Sequence, residues 1–127
     1  MSETLMTRLG WGLSALFGLF MLGASVAPKF LTDMGRQTMA GLGWPDAPVP
    51  LIGALELACT LLFLIPRTGL LGATLMMAIL GGAMVTQMRA GSPLLSHTLF
   101  SVWLGIVMWG GLWLRDASVR RVWPLRR

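Results

Sequence analysis

Titratable and redox-active side chains are scarce in this chain, and each scarcity removes a class of chemistry. Cys59 is the single cysteine, so there is no internal disulfide and no CxxC redox pair, and it reads as a small buried hydrophobe. His97 is the single histidine, so two axial haem ligands could come only from a symmetric dimer. No glycine-rich phosphate loop, metal-ligand cluster or catalytic triad is present, which leaves no metal site and no cofactor demonstrable from motifs. Any redox role therefore needs electron carriers in a partner or a diffusible cofactor, and a complete enzyme is not expected from this chain alone. Charge is scarce too. Only 12% of the 127 residues are charged, against about a quarter in soluble domains.

What fills the space is apolar. Hydrophobic residues make up 55% of the chain, more than a soluble core of this size could hide, so lipid has to cover the remainder. Membrane spans need apolar runs of about 17–25 residues, and four are present at 9–27, 49–65, 69–88 and 94–114. The second is interrupted only by Glu56, and His97 is the only titratable group in the fourth. The expected fold is all-α: an integral membrane antiparallel four-helix bundle forming one domain over 1–127, with a basic tail at 115–127. Ser25 and Ala27 loosely resemble a signal-peptide cleavage site, but Pro28 after the cut and Glu3 in the leader argue against cleavage.

Basic residues set the expected orientation. Arg8, Arg67, Arg115, Arg120, Arg121, Arg126 and Arg127 fall on one side, and Lys29, Arg36 and Arg89 on the other. The positive-inside rule then puts both termini in the cytoplasm, the host membrane being a bacterial inner (plasma) membrane. The basic tail reads as topology and attraction to anionic lipid, with no base-reading motif and no nucleic-acid partner. Trp11, Trp113 and Trp123 fit an interfacial belt on that side, and Trp44 the opposite one.

Each apolar run also carries a stripe of small or weakly polar residues, the pattern through which membrane helices pack. The stripes are Ser14 and Gly18; Gly53, Glu56 and Thr60; Thr74, Ala78, Gly82 and Thr86; and His97, Ser101 and Gly105. All are expected to face inward. Glu56 then lies about 10 Å, and His97 about 4–5 Å, below the outer ends of their helices. Gln87 and Arg89 cap the outer end of the third. The candidate site is a polar pocket of Glu56, Thr60, Gln87, Arg89 and His97, open to the outside. An ionisable group at such depth marks a functional site by default. Its bland counterpart is a hydrogen-bonded tie between helices, and Arg89 reads more simply as a snorkelling anchor.

The stretch "GLGWPDAPVPLIGALELACTLLFLIPR", Gly41 to Arg67, resembles the DoxX-like family of small bacterial membrane proteins. The matching features are Gly43-Trp44-Pro45, Ile52-Gly53, Glu56-Leu57 and Ile65-Pro66-Arg67; "GGAMVTQMRAG" and "SHTLF" extend the likeness over nearly the whole chain. Gln87 departs from it, since relatives often have histidine there, which undercuts a metal or proton role at that position. The resemblance implies a four-helix inner-membrane protein. Some relatives are subunits of quinone-linked oxidoreductase complexes, and distant ones are membrane-protein assembly factors. Glu56 matches the family's helix-two glutamate and becomes, with His97, a candidate for quinone and proton handling. Two expectations follow: an accessory subunit of a redox complex with quinone as ligand, or a non-enzymatic assembly factor or small-solute binding protein. The expected partners are the lipid bilayer and either a redox subunit or further copies of the chain.

Overall fold

The computed structural model describes Met1–Arg126; Arg127, counted above among the basic residues of the tail, lies outside the described residues. All regular structure among the described residues is helical. α1 (Glu3–Phe20) begins at Ser2, whose Oγ accepts a hydrogen bond from the Leu5 N–H at 3.2 Å, a side-chain N-cap. It runs through a π-helical segment, Met21–Val26, directly into α2 (Ala27–Leu31). The short α3 (Met34–Gly41) precedes α4 (Val49–Leu64), and a 3₁₀ turn at Pro66–Thr68 leads into α5 (Gly69–Arg89). A second π-helical segment, Leu94–Thr98, opens the last long helix, α6 (Phe100–Arg115), and α7 (Ala117–Val122) folds back from its end.

Three stretches are long and apolar enough to cross a membrane: Glu3–Leu31, Pro66–Arg89 and Leu94–Arg115. Val49–Leu64 is apolar but has only 16 residues, about 24 Å at 1.5 Å per residue. The expectation of a first helix ending at 27 is corrected: it continues to Leu31. Pro28 lacks an N–H and its ring would press on the carbonyl of Ala24 in a regular helix. The π segment widens the turn just before it, with the Ala27 N–H bonding Leu22 O, and the chain passes the proline without breaking.

Packing follows the small residues, with one exception. On α1, Ser14 and Gly18 are buried; on α4, Gly53, Glu56 and Thr60; on α6, Ser101 and Gly105. α1 meets α6 where a Cβ on Gly10 would lie 2.4 Å from the Arg115 backbone nitrogen. α4 meets α5 where a Cβ on Gly72 would lie 2.2 Å from the Phe63 nitrogen. The exception is α5. Its buried residues are Gly69, Gly72, Ala73, Met76 and Leu80, while Thr74, Ala78 and Gly82 are exposed. The core is Phe17, Met21, Cys59, Phe63, Ala73, Met76, Leu80, Met108, Leu112 and Val119. The Phe17 and Phe63 rings meet edge to face at 5.3 Å. α3 and α5 both end on left-handed glycines, Gly43 (φ 87) and Gly91 (φ 71). Their neighbours' N–H groups turn back onto the final carbonyls: Trp44 to Met39 at 2.8 Å, and Ser92 to Gln87 at 3.1 Å.

Two arginines close helix ends in the same way. Arg115 donates from Nη2 to the Phe63 carbonyl at the end of α4, its guanidinium 4.2 Å from the Trp11 ring centre. Arg120 donates to the Trp113 and Leu114 carbonyls at the end of α6 and pairs with Glu3 at 2.7 Å. The segment after 115 is therefore not a plain tail. It forms α7, and Trp123 stacks on Trp109 at 4.6 Å.

Gly72→Ala should lower the thermal unfolding midpoint in detergent, since forcing a methyl onto the Phe63 backbone costs about 1–3 kcal/mol or more. Gly12→Ala, with nothing within 4 Å of its Cβ position, should leave the midpoint unchanged or slightly raised. Equal behaviour of the two variants would refute the α4–α5 contact.

Candidate functional site

Glu56 sits about two turns into α4, 7% exposed. A carboxylate removed from water at that depth requires a partner. The partner is Lys29 of α2, whose Nζ lies 3.0 Å from Glu56 Oε2. Ser25, one turn earlier in the π segment, completes the group. Its hydroxyl donates to the same Oε2 at 2.8 Å and accepts from Lys29 Nζ at 2.9 Å. Lys29 also donates to the Ser25 carbonyl at 3.1 Å. All three ammonium donors are thereby used. Oε1 of Glu56 takes no hydrogen bond from the described residues.

Local sequence makes this geometry. Passage of the helix through Pro28 carries Lys29 on from Ser25 at the i, i+4 spacing, so both face α4. Glycines on the facing elements admit the lysine stem: a Cβ on Gly53 would lie 3.2 Å from Lys29 Cβ, and one on Gly35 3.3 Å from Lys29 Cγ. Lys29 is also the chain's only lysine; every other basic residue is arginine.

On the far side of Glu56 lies a cavity of about 340 Å³ between α3, α4 and α5. α4 and α5 touch at Phe63 and Gly72 and separate toward the other end, where Met39 and Leu42 cover the gap. Ile52, Leu55, Ile79 and Ala83 give it an apolar wall, and Glu56, Thr38, Thr86 and Gln87 are its polar side chains. Leu55, Ala78, Gly82 and Ala83 are exposed at its rim. Three of the four residues of the α5 stripe, Ala78, Gly82 and Thr86, therefore line this cavity.

The residues singled out in the sequence are partly brought together. Glu56 and Gln87 share the cavity, and Gln87 Oε1 is buried without a hydrogen-bond partner. Thr60 is buried one turn along, its hydroxyl donating to the Glu56 backbone carbonyl at 2.7 Å. Arg89 is exposed and borders a separate hollow with Leu42, Trp44, Val85 and Thr86. His97 is exposed, its Nδ1 2.8 Å from Ser96 Oγ, and does not line the cavity. The π segment at Leu94–Thr98 shifts the register ahead of Ser101, so Thr98 is buried in place of His97. Ser25 and Lys29 lie outside the expected site, because an apolar run that ends at 27 leaves Lys29 beyond the helix. The signals pointing to them were a lone lysine among arginines and its four-residue spacing from Ser25. No group of three or more His, Cys, Asp or Glu side chains suited to a metal ion occurs among the described residues.

Comparison with known proteins gives one family. The model of the DoxX-like family matches residues 12–111. No curated protein and no solved structure matches the chain.

Removing one member of the ion pair should be costly. Glu56→Gln leaves the more exposed Lys29 unpaired and should cost less than Lys29→Met. Lys29→Met leaves the Glu56 carboxylate unpaired in an apolar setting, and about 3–5 kcal/mol is the usual loss for a broken buried pair. The double variant should recover most of that loss. A double-mutant cycle on unfolding free energy in nanodiscs checks it; additive single losses would show that the two side chains do not interact.

Proposed function

Because this chain belongs to the DoxX-like family of membrane proteins, we propose that it is an accessory subunit of a quinone-linked membrane redox complex. The cavity between α4 and α5 holds the quinone. α1, α4, α5 and α6 cross the bacterial inner membrane as an antiparallel bundle, with both termini cytoplasmic. The Glu3–Arg120 pair supports the shared side of the termini, and the excess of arginine at that end supports its orientation.

One observation carries the reading. An apolar cavity of about 340 Å³ has a buried carboxyl group in its wall and exposed small residues at its rim. Ligand sites are typically of this kind, at about 300–1,000 Å³, largely apolar, with a few convergent polar groups. A quinone ring fits that chemistry, being flat and apolar with two carbonyl oxygens as its only polar atoms. The Gln87 amide can donate to one carbonyl, and Glu56 can hand a proton to the other as the quinone is reduced. Access from lipid suits a ligand that lives in lipid. Electrons would come from a flavin- or metal-containing partner.

The Lys29–Glu56 bond favours a second reading. The pair satisfies Glu56 without any ligand and ties α2 to α4, as an assembly factor or a small-solute binding protein would require.

Native mass spectrometry of protein gently extracted from its own membranes separates the two. A stoichiometric quinone is expected on the wild type. Gly82→Leu should reduce its occupancy about tenfold, equivalent to 1.4 kcal/mol, with unchanged thermal stability, because nothing lies within 4 Å of a Cβ at Gly82 and the new side chain grows into the cavity. A wild type carrying only phospholipid would leave the second reading standing.

A further inference from the structure

The ion pair has a second face. Lys29 also lines a polar cleft of about 350 Å³ formed with Thr32, Asp33, Arg36 and Pro50. The residues of this cleft lie around the α2–α3 junction, apart from Pro50 in the first turn of α4, and Thr32, Asp33 and Arg36 are exposed. Glu56 lines the apolar cavity instead. The 3.0 Å bond between Lys29 and Glu56 is thus the partition between a polar cleft and an apolar cavity, with the Ser25 hydroxyl bridging both partners.

The identity of the cation matters. The chain uses arginine at all its other basic positions, including Arg115 and Arg120, which do purely structural work on helix-end carbonyls. Arginine holds its proton under all ordinary conditions, whereas a lysine ammonium can hand one over. At the single place where a cation touches the buried carboxylate, the chain has its only lysine.

We propose that Lys29, Ser25 and Glu56 form a proton relay between the polar cleft and a ligand oxygen in the α4–α5 cavity. The relay rests on the quinone reading for its acceptor. Two electrons from the redox partner and two protons convert the quinone to quinol. Each proton leaves Lys29 Nζ for Glu56, directly or through the Ser25 hydroxyl. It then passes from Glu56 to a quinone oxygen, breaking the carboxyl O–H bond and forming the quinol O–H. A proton from bulk solvent, passed along water in the cleft, returns to the Lys29 amine. Asp33 and Arg36 are the other charged groups facing the cleft.

The relay requires a neutral form of the pair, carboxylic acid beside free amine, and this form can be trapped. Dicyclohexylcarbodiimide, which partitions into lipid, adds only to a protonated carboxyl. The neighbouring free amine then displaces it, giving an amide between Glu56 and Lys29 and releasing the urea. Applied to wild-type protein in native membrane vesicles, it should yield a cross-linked peptide lighter by one water. A membrane-impermeant sulfosuccinimidyl acetate should acetylate Lys29 through the cleft in the folded protein. Lys29→Arg keeps the charge but holds Glu56 ionised, and should show neither the amide nor a carbodiimide adduct on Glu56. Absence of the amide, or acetylation of Lys29 only after unfolding, would overturn the relay. Neither readout uses quinone, so loss of the quinone reading by mass spectrometry would be seen separately.

Discussion

A carboxylate that cannot reach water must have a cation beside it, and the geometry around α4 is arranged to bring one. Lys29 is the only lysine, and it lies beyond a proline that would normally end a helix. The π segment at Met21–Val26 carries the helix past that proline, and Gly35 and Gly53 leave space for the lysine stem. Without the π turn, Lys29 would leave the helix and Glu56 would face apolar side chains alone. The position of α2 against α4, and through it the position of α3 over the cavity, follows from this one electrostatic requirement.

The opposite end of α4 is held by a different device. Its last four carbonyls would be unpaired in an apolar setting, and three of them are met. Ile65 N–H donates to Leu61 O at 3.1 Å, Thr68 Oγ1 to Leu62 O at 2.7 Å, and Arg115 to Phe63 O. A short helix with only 16 residues is thereby anchored at both ends by groups from other elements. The anchoring at the Phe63 end also fixes α4 against α5, since Gly72 lets the two backbones touch there, whereas further along α5 a Cβ on Gly81 or Gly82 would meet nothing within 4 Å.

Much of this was legible in the sequence. Uncharged runs match the last three long helices to within about a residue, because hydropathy and the absence of charge act over a whole helix. The first helix starts six residues earlier and ends four later than its run, since charged Glu3, Arg8 and Lys29 lie within it. Glu56, Thr60, Ser14, Gly18 and Ser101 were correctly read as facing inward. What failed depended on local register. Sequence periodicity assumes 3.6 residues per turn, and the two π segments break that count where polar residues stand. The first carries the helix past Pro28 to Lys29, beyond the end of the apolar run; the second leaves His97 outward and Thr98 in. α3 and α7 are too short, and too polar or basic, for an apolar period to reveal them. Arg120, read as part of a charged tail, instead reaches back to cap α6.

The stripe on α5 shows why small residues cannot be interpreted from spacing alone. In lipid, glycine and alanine at four-residue intervals ordinarily let a second helix approach. Gly72 does this against Phe63. Ala78, Gly82 and Thr86, further along the same helix, meet no such partner and border the cavity instead. The two outcomes are mechanically linked. Because α4 and α5 are pinned together at Gly72, any divergence between them accumulates toward the far end, and residues there can only widen the gap or fill it. Large side chains at 78 and 82 would fill it; small ones leave the Glu56 carboxyl facing open space. The close contact at one end of the helix pair is therefore what gives the small residues at the other end their different physical meaning.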